Sequence, residues 1–180
     1  MAVLALLILM LDQATKAWIT SNMVSHDARV LIDGFLRLRY TQNTGAAFGL
    51  FQGWTGILSI AAVAIIGAIV LSASRMGSGS RVLMLALGLV LGGALGNLTD
   101  RIRLGYVVDF IEVYGPHIDL EGTSYTFPVF NVADSGITVG VLLIMAALLF
   151  GNGDLSPTGV KPSAPPRQEE SRPSPLRSEE

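Results

Sequence analysis

Two carboxylates stand in apolar surroundings. Asp109 lies inside the run Gly105-Tyr106-Val107-Val108-Asp109-Phe110-Ile111, and Asp134 follows in Phe130-Asn131-Val132-Ala133-Asp134-Ser135, immediately before a long apolar segment. An ionisable group at the edge of hydrocarbon is costly and marks a functional site. Two carboxylates that can meet are the minimum equipment for aspartyl-type hydrolysis, with one protonated and the other ionised. Burial and a like-charged neighbour both push one member above the reference value of about 4, so a protonated partner is available at neutral pH. Such a pair can activate a water and protonate the amide leaving group.

Other chemistries find less support. The chain has no cysteine, which excludes a thiol nucleophile, a disulfide framework and thiolate metal sites. His26 and His117 are isolated and no H-E-x-x-H run occurs, so neither a metal nor another cofactor is expected. A formal net charge of −2 gives no reason to expect a nucleic-acid partner. A serine-lysine peptidase built on Lys16 lacks a serine in a convincing nucleophile motif. A non-catalytic membrane scaffold leaves the acids unexplained. A proton-coupled carrier using Asp12, Asp109 and Asp134 as a relay is the main alternative, but it needs acids distributed across the membrane.

The elements that must position these acids are membrane helices. Apolar residues make up 51% of the chain and charged ones 14%, in four long apolar segments. They are predicted at about residues 1–20, 54–73, 82–98 and 134–150; about 20 apolar residues cross the hydrocarbon. The first segment has no basic start, so it reads as an uncleaved spanning helix and not a signal peptide. Within it Asp12 and Lys16 are four apart and share a face. They either orient the helix beside the site or form a terminal pair with Lys16 snorkelling to the interface. Trp54 opens the second segment, where an amphipathic ring favours the interface.

Residues 25–52 are too polar to span. Val30-Leu31-Ile32 and Phe35 to Tyr40 alternate as half-buried strands do, with a turn at Gly34, and predict a small sheet on the outer membrane face. Asn43-Thr44-Gly45-Ala46-Ala47-Phe48-Gly49 reads as a turn, or as a loop that holds an extended peptide by strand addition. In the third segment Gly88, Gly92 and Gly96 bare one face for close helix contact. Asn97, Asp100 and Arg101 follow at i, i+3, i+4. They are either a surface ion pair or a support for the acids, with Arg101 set back and holding Asp100, the Asn97 amide or the loop. Residues 112–129 are expected to form an outer loop with a short helix. Asp134 on its own reads equally as a first-turn acid favoured by the helix dipole.

Residues 1–150 thus form one membrane domain with an all-α core, a small extracytoplasmic sheet and an outer loop. Residues 151–180, rich in Pro, Ser, Glu and Arg, are expected to be a disordered cytoplasmic tail. Arg75 and Arg81, with Lys161 and Arg167, favour the side of both termini as cytoplasmic, against Arg29, Arg37 and Arg39 in the first outer loop.

Five blocks occur in one order across the four segments: Asp12 with Lys16, Asn43 to Phe48, Gly96-Asn97 with Asp100-Arg101, Gly105 to Phe110, and Asn131 to Ser135. In this the chain closely resembles the bacterial lipoprotein signal peptidases (signal peptidase II) over roughly residues 10–150. The resemblance implies an aspartyl endopeptidase of the bacterial inner membrane. Such an enzyme removes signal peptides from prolipoproteins, just before a cysteine that carries diacylglycerol. It implies Asp109 and Asp134 as the catalytic pair, facing the extracytoplasmic side. Asn43, Gly45, Asn97, Asp100, Arg101 and Asn131 fall on motif positions around the site, and Asp12 and Lys16 on the motif of the first helix. The expected partners are lipidated precursors and membrane lipids, and the expected state is a monomer. Two features depart from the family: the tail matches no motif, and the absence of basic residues ahead of the first helix leaves room for a longer natural N-terminus.

Overall fold

The computed structural model describes residues 1–46, 50–75, 81–115 and 127–150. Four helices, α1 (Ala2–Asn22), α2 (Thr55–Arg75), α3 (Arg81–Leu104) and α4 (Val132–Phe150), are each long and apolar enough to cross a membrane. Three antiparallel strands, β1 (Ala28–Ile32), β2 (Leu36–Asn43) and β3 (Val107–Val113), pair in the order β1-β2-β3. The β1–β2 hairpin joins α1 to α2 and β3 joins α3 to α4, so the sheet caps one end of the bundle.

Helix α3 is the centre of the bundle and packs on the other three helices. Its buried positions include Ala86, Val90, Leu91 and Ala94, whereas α1, α2 and α4 leave Leu6, Ile60, Leu142 and similar side chains exposed to what is lipid in the membrane. Lipid tails give no hydrophobic drive for helix association, so close packing must supply it. The small residues do so. A Cβ at Gly92 would fall 2.6 Å from the Ala5 carbonyl oxygen of α1, and one at Gly140 of α4 would fall 2.7 Å from that of Ala86. The glycine periodicity is therefore a packing device.

Helix α3 runs six residues beyond the expected 82–98, because Asn97 and Asp100 find partners across the bundle and need not end it. It stops at Gly105, whose φ of +81° is easily reached only without a Cβ. The Gly105 N–H donates to the Arg101 carbonyl at 3.1 Å, a left-handed helix cap that turns the chain straight into β3.

The hairpin lies where alternation placed it, but its third partner was not foreseen. Val107–Val113 is a near-continuous apolar run, with no alternation to betray a strand, because both of its faces are covered. One face packs Val108 and Phe110 on Ile19, Met23 and Tyr40. Further along it buries Glu112, which Arg37 and Arg39 of β2 bind as an ion pair; Arg37 also lies over the Tyr114 ring, 4.6 Å from its centre. The expected short helix of the outer loop, most of the 74–81 loop, residues 47–49 and the tail fall outside the described residues.

Candidate active site

Asp109 sits on β3 opposite Thr41 of β2. Two residues along β2, on the same face, Asn43 donates its side-chain N–H to Asp109 Oδ2 at 2.9 Å. The Asn43 oxygen is occupied by the Gly45 N–H at 2.9 Å, which leaves only the amide nitrogen for the carboxylate. From the other side Asn131 Nδ2 donates to Asp109 Oδ1 at 2.7 Å.

Asp134 sits in the first turn of α4. Its N–H donates to Asn131 Oδ1 at 2.8 Å, and its Oδ2 accepts the Asn131 N–H at 3.1 Å. This is a capping box with Asn and Asp in the two roles, so the first-turn reading and the site reading describe one arrangement. Its other oxygen accepts Asn97 Nδ2 at 2.8 Å. Each acid therefore takes two donors among the described residues, and both line one cavity of about 600 Å³. The remaining wall is mostly apolar, with Phe127, Val129, Phe130 and Ile137. A smaller cavity of about 320 Å³, lined by Thr41, Gln42 and Gln52, reaches Asp109 from its other side.

Burial raises the Asp109 carboxyl first, and the Asp134 charge raises it further, to about 7. The hydrogen bonds from Asn43 and Asn131 and the charge of Lys16 work against that rise. A group in this position holds a proton near neutrality and can give it up.

Behind the pair lies a buried ionic layer. Lys16 contacts Asp12 and Asp100, each at 2.9 Å. Asp12 is 0% and Lys16 3% exposed, so the snorkelling alternative is overturned. Asp12 Oδ1 also accepts the Ala133 N–H of α4 at 2.9 Å, and Asp100 Oδ2 accepts the Val108 N–H of β3 at 3.0 Å. These two carboxylates tie α1 to α4 and α3 to the strand that carries Asp109. Asp12 lines neither of these two cavities and is engaged by Lys16 and the Ala133 N–H, an arrangement that lends the carrier reading no support.

Arg101 corrects one expectation. It pairs with neither Asp100 nor Asn97. Its Nη2 donates to the Gly45 carbonyl at 3.1 Å, which is the loop option, and its side chain lines the cavity beside the acids instead of standing behind them. Asp100 turns the other way, to α1. One polar residue escaped the sequence reading. Gln13 bridges Asp12, Asp100 and the Gly96 carbonyl, at 3.2, 3.0 and 3.3 Å. Its polar character in the middle of an apolar helix, next to Asp12, was the available signal.

Residues 4–150 match the sequence pattern of the family described as "Signal peptidase (SPase) II". A "Lipoprotein signal peptidase" of Shouchella clausii is 40% identical over 147 residues, which is 82% of this chain and 91% of that protein. One from Symbiobacterium thermophilum is 42% identical over 148 residues, or 82% and 92% of the two chains. A solved bacterial membrane enzyme, crystallised by the in meso method, superposes with a TM-score of 0.75 at 34% identity, covering 88% of this chain and 93% of its own. A second, from the same method, gives 0.71 at 35% identity, covering 83% and 92%. With its four spanning helices, its sheet and this sequence match over nearly all of the described chain, the protein belongs to the signal peptidase II family of multi-pass bacterial membrane proteins.

Proposed function

We propose that Asp109 and Asp134 are the paired carboxylates with which this aspartic-type membrane peptidase removes signal peptides from prolipoproteins. The observation that carries the assignment is their convergence from separate elements, β3 and α4, onto one cavity, each held by two donors. Asp109 holds the shared proton. Asp134 stands at the positive end of α4, where the helix dipole favours negative charge. A water between them loses a proton to Asp134 as its oxygen attacks the carbonyl carbon of the scissile amide. Asp109 protonates the carbonyl oxygen. Collapse of the resulting diol breaks the C–N bond as one of its hydroxyls returns a proton to Asp109, and the proton taken by Asp134 passes to the leaving nitrogen, which restores the starting state of the pair. The products are a signal peptide with a free carboxyl end and a mature chain with a free amino end.

The cut precedes a diacylglyceryl-modified cysteine. The apolar wall of the larger cavity, continuous with α4, suits a substrate whose acyl chains stay in lipid while its peptide reaches the acids. Asn43, Gly45 and Arg101 shape the peptide side, whereas Asp12, Lys16, Asn97, Asp100 and Asn131 hold the acids. The enzyme works as a monomer among membrane lipids. Purified protein should cleave a diacylglyceryl prolipoprotein and leave the unlipidated precursor at least about tenfold slower, since remote binding energy is used at the reacting bond. Equal rates on both would overturn the lipid requirement, and cleavage of neither would overturn the function.

The site faces the extracytoplasmic side, and residues 151–180 the cytoplasm. The support is the basic character of the 74–81 loop at the opposite end of the bundle from the sheet. The chain lacks cysteine, so single replacements report cleanly. Asp33→Cys, between β1 and β2, should react with an impermeant thiol reagent in intact cells. Ser74→Cys, near the end of α2, should react only after lysis. The reverse pattern would invert the orientation.

A further inference from the structure

Lys16 touches neither acid of the proposed pair, yet the Asn97 amide that donates to Asp134 is held by it. Its ammonium has three N–H groups and no acceptor. All three are used, on Asp12 Oδ2, Asp100 Oδ2 and Asn97 Oδ1, each at 2.9 Å. Lys16 is 3% exposed, so these three oxygens are its surroundings among the described residues.

A group that only donates forces its partners to present oxygen. Asn97 must turn its Oδ1 to Lys16, and its NH2 then faces Asp134. The same Asn97 oxygen accepts Asn131 Nδ2 at 3.1 Å. That contact agrees with the backbone partners of Asn131, whose Nδ2 also donates to the Val108 carbonyl at 3.3 Å and whose Oδ1 accepts the Asp134 N–H, so that its NH2 faces Asp109. Amide oxygen and nitrogen are ordinarily assigned by choosing the better hydrogen-bond network. Here chemistry makes the choice, because a flipped Asn97 would set a donor against the ammonium. We infer that Lys16 is a positioning residue that fixes the polarity of the Asn97 amide and thereby sets the pH range in which Asp109 and Asp134 share one proton. The inference rests on the catalytic pair proposed above.

Among the described residues the charges around Lys16 are few. Helix α1 supplies Asp12, α3 supplies Asp100 and, further off, Arg101 and Arg103, β3 supplies Asp109, and α4 supplies Asp134. Arg101 is held by Gly45 across the cavity, and Arg103 reaches only Gln13, at 3.5 Å. Lys16 is therefore the cation coupled to the Asn97 amide. Without it Asn97 is free to turn its oxygen toward Asp134, a lone pair against a lone pair unless a proton intervenes, while Asn131 stays fixed by the Asp134 N–H and the Val108 carbonyl. Ionising the pair then becomes harder, and the active range moves to higher pH.

The test is the pH profile of kcat on a diacylglyceryl prolipoprotein, measured with KM on purified full-length protein. Lys16→Met should move both limbs of the bell upward by about one unit, the scale of a lost charge-assisted contact, with KM nearly unchanged. Lys16→Arg, which keeps a donor-only cation, should lie between Lys16→Met and wild type. Asp12→Asn removes a negative charge beside the same ammonium and should move the bell downward. If Lys16→Met does not insert, the downward shift in Asp12→Asn carries the test. A bell at the wild-type position in Lys16→Met, or an unshifted or upward-moved bell in Asp12→Asn, would overturn the inference, because a purely structural role lowers the height of the profile without a signed displacement. If instead Asp109→Asn or Asp134→Asn keeps full turnover, the catalytic pair itself is misassigned, and that result is separate from any shift seen at Lys16.

Discussion

Asp134→Asn and Asp109→Asn should each lower kcat by roughly 10³-fold or more, the range lost when a group that transfers the proton is removed. Asn cannot ionise and cannot pass a proton. At position 134 it still offers one oxygen to the Asn131 N–H, so the first turn of α4 survives; a role limited to capping predicts near-normal turnover. The double variant should be little slower than either single one, because the two act as a unit. The Asp109 variant carries a second, opposite signature. A carboxyl raised from 3.8 to about 7 in the folded state stabilises the fold below the unfolded value, and that contribution is lost as pH rises through the folded one. Asn is indifferent to pH. The Asp109→Asn protein should therefore be inactive but more heat-resistant than wild type. Its advantage should grow from about pH 4 to pH 7 and level off above, at a ceiling of roughly 2–4 kcal/mol. Thermal unfolding in detergent at pH 5 and pH 8 measures it. Retained turnover in Asp134→Asn protein shown to be folded would remove the aspartyl mechanism. A heat resistance independent of pH would remove the raised Asp109.

Gly96→Ala should be nearly as damaging although it adds one methyl group. The new Cβ would stand 2.5 Å from Asp12 Oδ2 and 3.0 Å from its Cγ. Asp12 cannot retreat, since Oδ1 holds the Ala133 N–H and Oδ2 holds Lys16. Either α1 moves off α3 or the ion pair opens, and breaking one member of a buried pair costs about 3–5 kcal/mol. We expect at least a tenfold loss of cleavage and a lowered melting temperature. Gly67→Ala in α2 is the control: nothing lies within 4 Å of its added Cβ, and Ala gains up to about 1 kcal/mol over Gly inside a helix. Gly96→Ala protein that matched wild type would mean that α1 is less tightly seated than the structure has it.

Much of this was legible in the residues, and the parts that were not share a cause. Composition and length gave the four spanning helices, because a bilayer imposes one period and one length on every crossing. Alternation gave β1 and β2, which keep a wetter face. It was silent on β3, buried on both sides, where Val107 to Val113 reads like any apolar run. The pair Asp12 with Lys16 was visible as a helical spacing, and Asp134 as a first-turn acid. What local spacing could not carry was direction: Asn97 and Arg101 face the cavity while Asp100, between them, faces α1, because partners distant in sequence decide each rotamer. Gln13 was overlooked for the same reason, as its three partners are visible only when α1 and α3 are side by side.

The Ala133 N–H to Asp12 bond spans 121 residues, joining the first spanning helix to the last. During synthesis α1 enters the membrane long before Ala133 exists. In that interval Asp12 has neither its α4 donor nor its α3 neighbours, and Lys16 lies just as deep. The one partnership open to a lone helix is the contact between them, four residues apart on its own face. The spacing that later assembles the ionic layer thus first serves the nascent chain, by letting a helix with two charges pass as nearly neutral. On the proposed assignment the site is also incomplete until α4 is made. The acid on β3 waits in a chain whose second acid, and the first turn that orients it, are among the last of the membrane domain to leave the ribosome.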